Sequence, residues 1–280
     1  MGRFSFFGEG IPGLDPEELR GKLIIVEGAD GVGRSTQIWL LKQWLETEGH
    51  AVLATRMTRS ALAGKRLRQA KKGTTLGRVT MALFYATDFA DRLEHEVIPA
   101  LKAGFIVLTD RYVYTLIARA LMRGVDPDWL REVYGFALKP DRIFYLRAGV
   151  DDLVTRVLQE GGFDYWESGM DLNLGQDMFE SFVEYQNRII VQFDKMVEDY
   201  GFEAVDASRS IDEVFTDLKA RMTKVLHDER PALSDSIGRL TQSWNRPAAP
   251  DHPRAENLEN NLPYAGGLPS RDPVAVPRRN

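Results

Sequence analysis

The stretch Gly28-Ala29-Asp30-Gly31-Val32-Gly33-Arg34-Ser35-Thr36 constrains the fold more than any other part of this chain. It follows a short apolar run, Leu23–Val26, and leads into a segment with Ile38, Leu40, Leu41 and Trp44 at helical spacing. Strand, glycine-rich turn and helix start in that order are the setting of a phosphate-binding loop. Glycines there let successive backbone N–H groups face phosphate oxygens, and the helix N-terminus adds partial positive charge. The nine residues from Gly28 to Thr36 therefore read as a nucleotide cradle, with the Ser35 hydroxyl placed for a magnesium ion. The alternative is a glycine-rich turn without function, which does not require a strand before it and a helix after it.

Position 34 departs from the loop pattern, which has lysine there. Arginine keeps the charge and can grip phosphate bidentately, but its planar fork is bulkier than an ammonium. Transfer with Arg34 as its cation and nucleotide binding without transfer both remain open on this residue alone.

Further apolar runs of strand length, Val52–Ala54, Phe105–Leu108, Ile143–Leu146 and Phe202–Val205, alternate with longer segments of helical period. Such alternation predicts an α/β fold of three layers, a five-stranded parallel sheet with helices on both faces. The run Phe105–Leu108 ends in Thr109-Asp110-Arg111-Tyr112, which puts an acid and a base at the carboxyl end of a central strand, where open α/β sheets bind ligands. Asp110 is expected to hold magnesium through water, and Arg111 to neutralise charge on a transferring phosphoryl group.

Composition matters mainly for partners and compartment. With 36 basic and 41 acidic residues, net charge −5, there is no global electrostatic case for nucleic acid. A local basic stretch, Arg56, Arg59, Lys65, Arg66, Arg68, Lys71 and Lys72, is either a solvated face or a phosphate-gathering one. The absence of cysteine removes disulfide and thiolate chemistry, and no apolar run approaches the roughly 20 residues that cross a bilayer. A cytoplasmic protein with no membrane partner is the expectation. The four histidines show no metal-ligand spacing. Residues 1–20 read as an irregular lead-in, 21–228 as the P-loop domain, whose segment at about 158–177 takes the place of a lid in the resemblance given below, and 229–280 as a disordered tail. Eight of the 13 prolines fall in 231–280, where few large apolar groups accompany them.

The run Glu27 to Gln37, the Thr55-Arg56 pair, Phe84 in a Leu-Phe-x-Ala setting, Ile98-Pro99-Ala100-Leu101 and Asp110-Arg111-Tyr112 together resemble the thymidylate kinase family over about residues 22–225. The resemblance implies a P-loop NTPase fold. It also implies transfer of the γ-phosphate of ATP to the 5′-phosphate of dTMP with magnesium, giving dTDP, in a homodimer. It assigns Arg34, Asp110 and Arg111 to catalysis, and the loop together with Arg156 of the lid region to ATP. Asp30, Arg56, Phe84, Phe89, Arg111, Thr115 and Arg119 go to the acceptor, with Phe84 stacking on its base. The chain has Phe89, Arg119 and Ala120 where the family pattern has Arg, Tyr and Gln, and Arg92 is either a substitute for the first of these or a surface helix charge. The segment between Glu160 and Asp177 carries no arginine. Its Phe163, Tyr165 and Trp166 either pack on a base or partner, or anchor the loop itself. Two other functions stay open: a non-catalytic, regulatory nucleotide-binding protein, and a nucleoside kinase, whose acceptor would leave Arg56 and Arg111 without a phosphate to hold.

Overall fold

The computed structural model describes residues 4–72 and 76–227. The chain runs β1 (Lys22–Gly28), α1 (Arg34–Thr47), β2 (Val52–Arg56), α2 (Gly64–Ala70), α3 (Arg78–Arg92), a π-helical turn (Leu93–Val97) and α4 (Ile98–Lys102). It continues through β3 (Ile106–Asp110), α5 (Val113–Met122), α6 (Pro127–Val133), β4 (Arg142–Arg147), α7 (Val150–Gln159), α8 (Met178–Tyr200), β5 (Glu203–Asp206) and α9 (Ile211–His227). Each expected strand is present, although Phe105 and Phe202 lie just before β3 and β5.

All pairings between these five strands are parallel, in the order β2-β3-β1-β4-β5. Parallel neighbours need long crossovers, and the helical segments between strands supply them. Every residue of β3 is buried, as a strand covered on both faces must be. The register decides where chemistry can collect. Val26 of β1 and Arg56 of β2 both stand opposite Asp110 of β3, so the segments leaving these three strands emerge side by side at one edge. The strand order reverses at β1, and that crevice is where such sheets bind ligands.

The lead-in packs its aromatics on this framework: Phe4 is buried, Phe7 meets Tyr114 and Tyr200, and Phe6 bridges Leu138. The expected tail lies outside the described residues, in which no helix is long and apolar enough to cross a membrane.

Candidate active site

The turn after β1 closes because Gly28 is a glycine. It sits at φ +149°, and a Cβ there would lie 2.6 Å from the Leu146 carbonyl oxygen of β4. Gly33, at φ +92°, is the N-cap of α1 without a side-chain cap, so the first N–H groups of the helix are left for a ligand. Arg34 is buried and turned back on the loop. Its Nη1 donates to the carbonyls of Gly28 at 2.6 Å and Ala29, and its Nε donates to Asp110 Oδ1 at 2.7 Å. Ser35 Oγ donates to the other oxygen of Asp110 at 2.8 Å. Asp110 thus joins the helix start to the end of β3, and the Arg34 fork reaches the loop carbonyls and this carboxylate from separate nitrogens, which a lysine does not have.

Asp30 is the second junction. Its carboxylate accepts from Arg111 Nη2, from Arg119 Nη2 at 2.9 Å and from Gln186 Nε2 at 3.2 Å, while Arg34 Nη2 stands 4.0 Å away. Arg111 follows β3 directly at φ +69°, a conformation costly for a side chain of its size, and its N–H donates to the Val26 carbonyl. That kink turns its guanidinium toward Asp30 across the crevice.

A cleft of about 320 Å³ collects these groups. Arg34, Arg56, Arg59, Arg68, Lys71, Arg111 and Arg119 line it, against Asp30, Asp110, Glu160 and Glu167. An acidic chain has concentrated positive charge in one depression, which focuses field on anionic ligands. The basic stretch divides accordingly: Arg56, Arg59, Arg68 and Lys71 face the cleft, while Lys65, Arg66 and Lys72 are exposed outside it. Burial and the nearby Arg119 push the Lys71 ammonium below its usual range. Burial opposes ionisation of Glu167, yet Arg111, Arg119, Lys71 and Arg34 together hold its carboxyl below the usual range.

Glu27 supports the site from below. Fully buried at the end of β1, it accepts from Tyr112 N at 2.8 Å, Thr115 N at 3.4 Å and Thr115 Oγ1 at 2.6 Å. It thereby caps α5, whose own N-cap, Tyr112, offers no side-chain bond. Burial raises the Glu27 pKa above the ordinary carboxylate value of about 4.3 despite these bonds. A raised acid favours the folded state while protonated and costs stability as pH rises through its folded pKa. The melting temperature of Glu27→Gln relative to the parent is therefore expected to climb as pH is raised from about 4.3, in thermal unfolding across that range. A pH-independent difference would show that Glu27 ionises as freely in the fold as in the unfolded chain.

The segment after α7 is fastened by its own side chains. Phe163 packs on Phe182 and Phe179, and Trp166 is buried beside Tyr85. Arg123, the C-cap of α5, stacks over Trp166 at 3.7 Å and forms a bidentate pair with Asp171 at 2.7 and 2.8 Å. Of the two readings of these aromatics, the structure has Phe163 and Trp166 anchoring the loop. Two of its acidic residues, Glu160 and Glu167, line the cleft.

Several expected site residues lie elsewhere. Phe89 is a core residue, packed edge-on against Tyr112 and against Tyr134 and Phe136, and does not line the cleft. Thr115 spends its hydroxyl on Glu27, and Phe84 is half-buried against the core outside the cleft. Gly28, Ala29 and Val32 shape the loop from behind, without lining the cleft. Arg156 sits behind it too, donating to the carbonyls of Val32 at 3.4 Å and Ala207 at 2.8 Å. Arg92 is buried, not a surface helix charge. Asp30, Gly31, Gly33, Arg34, Ser35, Thr36, Arg56, Asp110, Arg111 and Arg119 do meet in the cleft.

Glu167, Gln186 and Glu27 were not anticipated as site residues, and Lys71 only as a member of the basic stretch. Among the first three, only Glu27 left a signal, as a lone charge ending an apolar strand. Asp88, next to Phe89, is a further supporting residue. Its buried carboxylate accepts from Thr58 N and Ser60 N, and so shapes the turn that carries Arg59.

Comparison with known proteins agrees with this geometry. The family model described as thymidylate kinase matches residues 26–218. A protein named probable thymidylate kinase 2, from Saccharolobus solfataricus, is 39% identical over 204 residues, 72% of this chain and 95% of its own. A probable thymidylate kinase from Pyrococcus horikoshii is 30% identical over 209 residues, 72% and 96% of the two chains. A thymidylate kinase from Bifidobacterium longum subsp. infantis is 31% identical over 222 residues, 75% and 89%.

Proposed function

The chain belongs to the thymidylate kinase family, and from that premise we propose that it transfers the γ-phosphoryl group of ATP to the 5′-phosphate of dTMP in the cleft between Ser35 and Arg111. It is a nucleoside monophosphate kinase. The observation that supports this assignment most is the shared cleft: the uncapped start of α1 and the cations Arg56, Arg111 and Arg119 line one depression, with Arg34, Asp110 and Asp30 between them.

In this reading the backbone N–H groups at the start of α1 bind the donor phosphates, and Arg34 lends positive charge to the oxygens between donor and acceptor. Arg56, Arg111 and Arg119 hold the acceptor phosphate in line, with Asp30 keeping the latter two guanidinia apart and aimed. No covalent intermediate with the protein is needed, because positioning and electrostatic stabilisation carry phosphoryl transfer.

The donor set suits magnesium. Ser35 Oγ and the Asp110 carboxylate are hard oxygen groups 2.8 Å apart, and among the described residues no cluster of three or more His, Cys, Asp or Glu offers a closed cage. Magnesium characteristically takes one or two carboxylates together with water and substrate phosphates. These two residues would hold it, Asp110 through water, and when bound it would neutralise charge on the phosphate oxygens. Arg34 shares Asp110 with that position, so this carboxylate orients both cations.

Val79 and Leu83, one turn apart on α3, expose 48% and 44% of their surface, which supports a homodimer formed through this helix. A cytoplasmic setting accords with this nucleotide chemistry.

A coupled ADP-release assay with magnesium-ATP and a panel of dTMP, dUMP, UMP, CMP, AMP, GMP and thymidine tests the reading. Turnover is expected to be fastest with dTMP and absent with thymidine. Turnover with thymidine and not with dTMP would sink it, since Arg56, Arg111 and Arg119 would then have no phosphate to hold.

A further inference from the structure

A second cavity, of about 400 Å³, opens beside the phosphate cleft and shares Ser35, Arg56, Arg59 and Asp110 with it, while its remaining lining takes no part in the transfer just described. It lies between the first turns of α1 and the end of β2, which is the edge strand of the sheet. Its size falls in the range of small-molecule sites, roughly 300–1,000 Å³.

The walls differ in character from the main cleft. Ile38 lies buried on the floor, and Ala54, small and exposed on β2, leaves the space above it open. Trp39 stands at the mouth with 59% of its surface exposed, a large flat face left in water. An indole in that position is a stacking platform for another ring.

The charges around the cavity are unevenly committed. Asp110 is taken by Arg34 and Ser35, Glu96 accepts from Thr55 Oγ1 at 2.6 Å, and Lys42 pairs with Glu46 at 3.5 Å. The side chains of Arg56 and Arg59 make no hydrogen bond or ion pair among the described residues, and both line this cavity as well as the phosphate cleft. A ring platform of Ile38 and Trp39 therefore ends at two uncommitted guanidinia, which favour a phosphate.

We infer that this cavity binds a planar aromatic phosphate of about mononucleotide size, its ring on Trp39 and its phosphate between Arg56 and Arg59. Because Arg56 also faces the acceptor side of the cleft, a ligand held here competes with the acceptor phosphate. The site is thus a point at which a second nucleotide restrains the kinase.

The test uses the full chain labelled with 5-fluorotryptophan, in which Trp39→Phe assigns the Trp39 fluorine resonance among five tryptophans. Phenyl phosphate is expected to shift that resonance saturably, inorganic phosphate to do so at least roughly tenfold more weakly, and Arg59→Ala to weaken the phenyl phosphate response by about tenfold. This readout does not depend on kinase turnover, so it stands or falls separately from the acceptor assignment. In kinetics, phenyl phosphate is expected to raise the acceptor KM, and Trp39→Ala to abolish that rise while keeping the uninhibited acceptor KM within about twofold. A Trp39 resonance that stays still, or moves equally with inorganic phosphate, overturns the proposal. So does inhibition that persists undiminished in Trp39→Ala, because phenyl phosphate would then be acting in the acceptor cleft alone.

Discussion

Arg34→Ala is expected to lower kcat by roughly 10²- to 10³-fold, the loss that follows removal of one preorganised charge donor at a site of developing negative charge. The argument rests on position. Arg34 is the cation nearest the start of α1, it is buried, and its guanidinium is held by three acceptors, Gly28 O, Ala29 O and Asp110 Oδ1. A side chain so constrained needs little reorganisation when charge builds on the phosphate oxygens. Arg34→Lys is expected to recover part of the rate, since an ammonium restores charge but not the fork. A lost kcat with little change in the KM for ATP distinguishes a transition-state role from mere cradle damage. Undiminished turnover in Arg34→Ala would mean that the cation for transfer comes from elsewhere in the cleft.

Asp30→Asn is expected to be the most destabilising single change in the site. Asp30 is 4% exposed and takes hydrogen bonds from Arg111 and Arg119, with Arg34 close by, so neutralising it leaves buried guanidinium charge uncompensated. Breaking a buried pair from one side costs about 3–5 kcal/mol, and in a domain of this size that corresponds to a fall in melting temperature of roughly 6–20 °C. The cause can be told from simple packing loss, because an anion can take over the work of the carboxylate. Inorganic phosphate is expected to raise the melting temperature of Asp30→Asn more than that of the parent, since ligand binding to the folded state stabilises it by mass action. Equal melting temperatures for the two proteins, measured in thermal unfolding without phosphate, would show that the arginines do not depend on Asp30.

Both predictions concern residues that could be picked out from the loop pattern, but the partners that give them their expected effects could not. Arg34 was conspicuous because it breaks a known spacing, and Asp110-Arg111 because it ends an apolar strand. The joining of Arg34 to Asp110, 76 positions apart, required β1 and β3 to be neighbours in register. Phe89 and Thr115 show the converse error. Each sits in a helix at a position that the family resemblance assigns to the acceptor, yet the helix turns Phe89 into an aromatic cluster and Thr115 onto Glu27. Neither orientation is available from local spacing, because which helical face is buried depends on what packs against it.

By itself, then, the order of residues determined the strand runs, the glycine turn that shapes the nucleotide cradle, the parallel α/β class and the presence of a phosphoryl-transfer pair. Those are local properties, set by side-chain volume, backbone freedom and periodicity within about a dozen neighbours. Tertiary structure alone decided that Asp30 would compensate two arginines from later in the chain, that Glu27 would cap a helix 85 residues away, and that Glu167 and Lys71 would enter the cleft. It also decided that Arg56 and Arg59 would face two cavities at once. The reason is physical: a buried charge or an uncapped helix end must find its partner in space, and sheet order and register determine which distant side chain is close enough to serve.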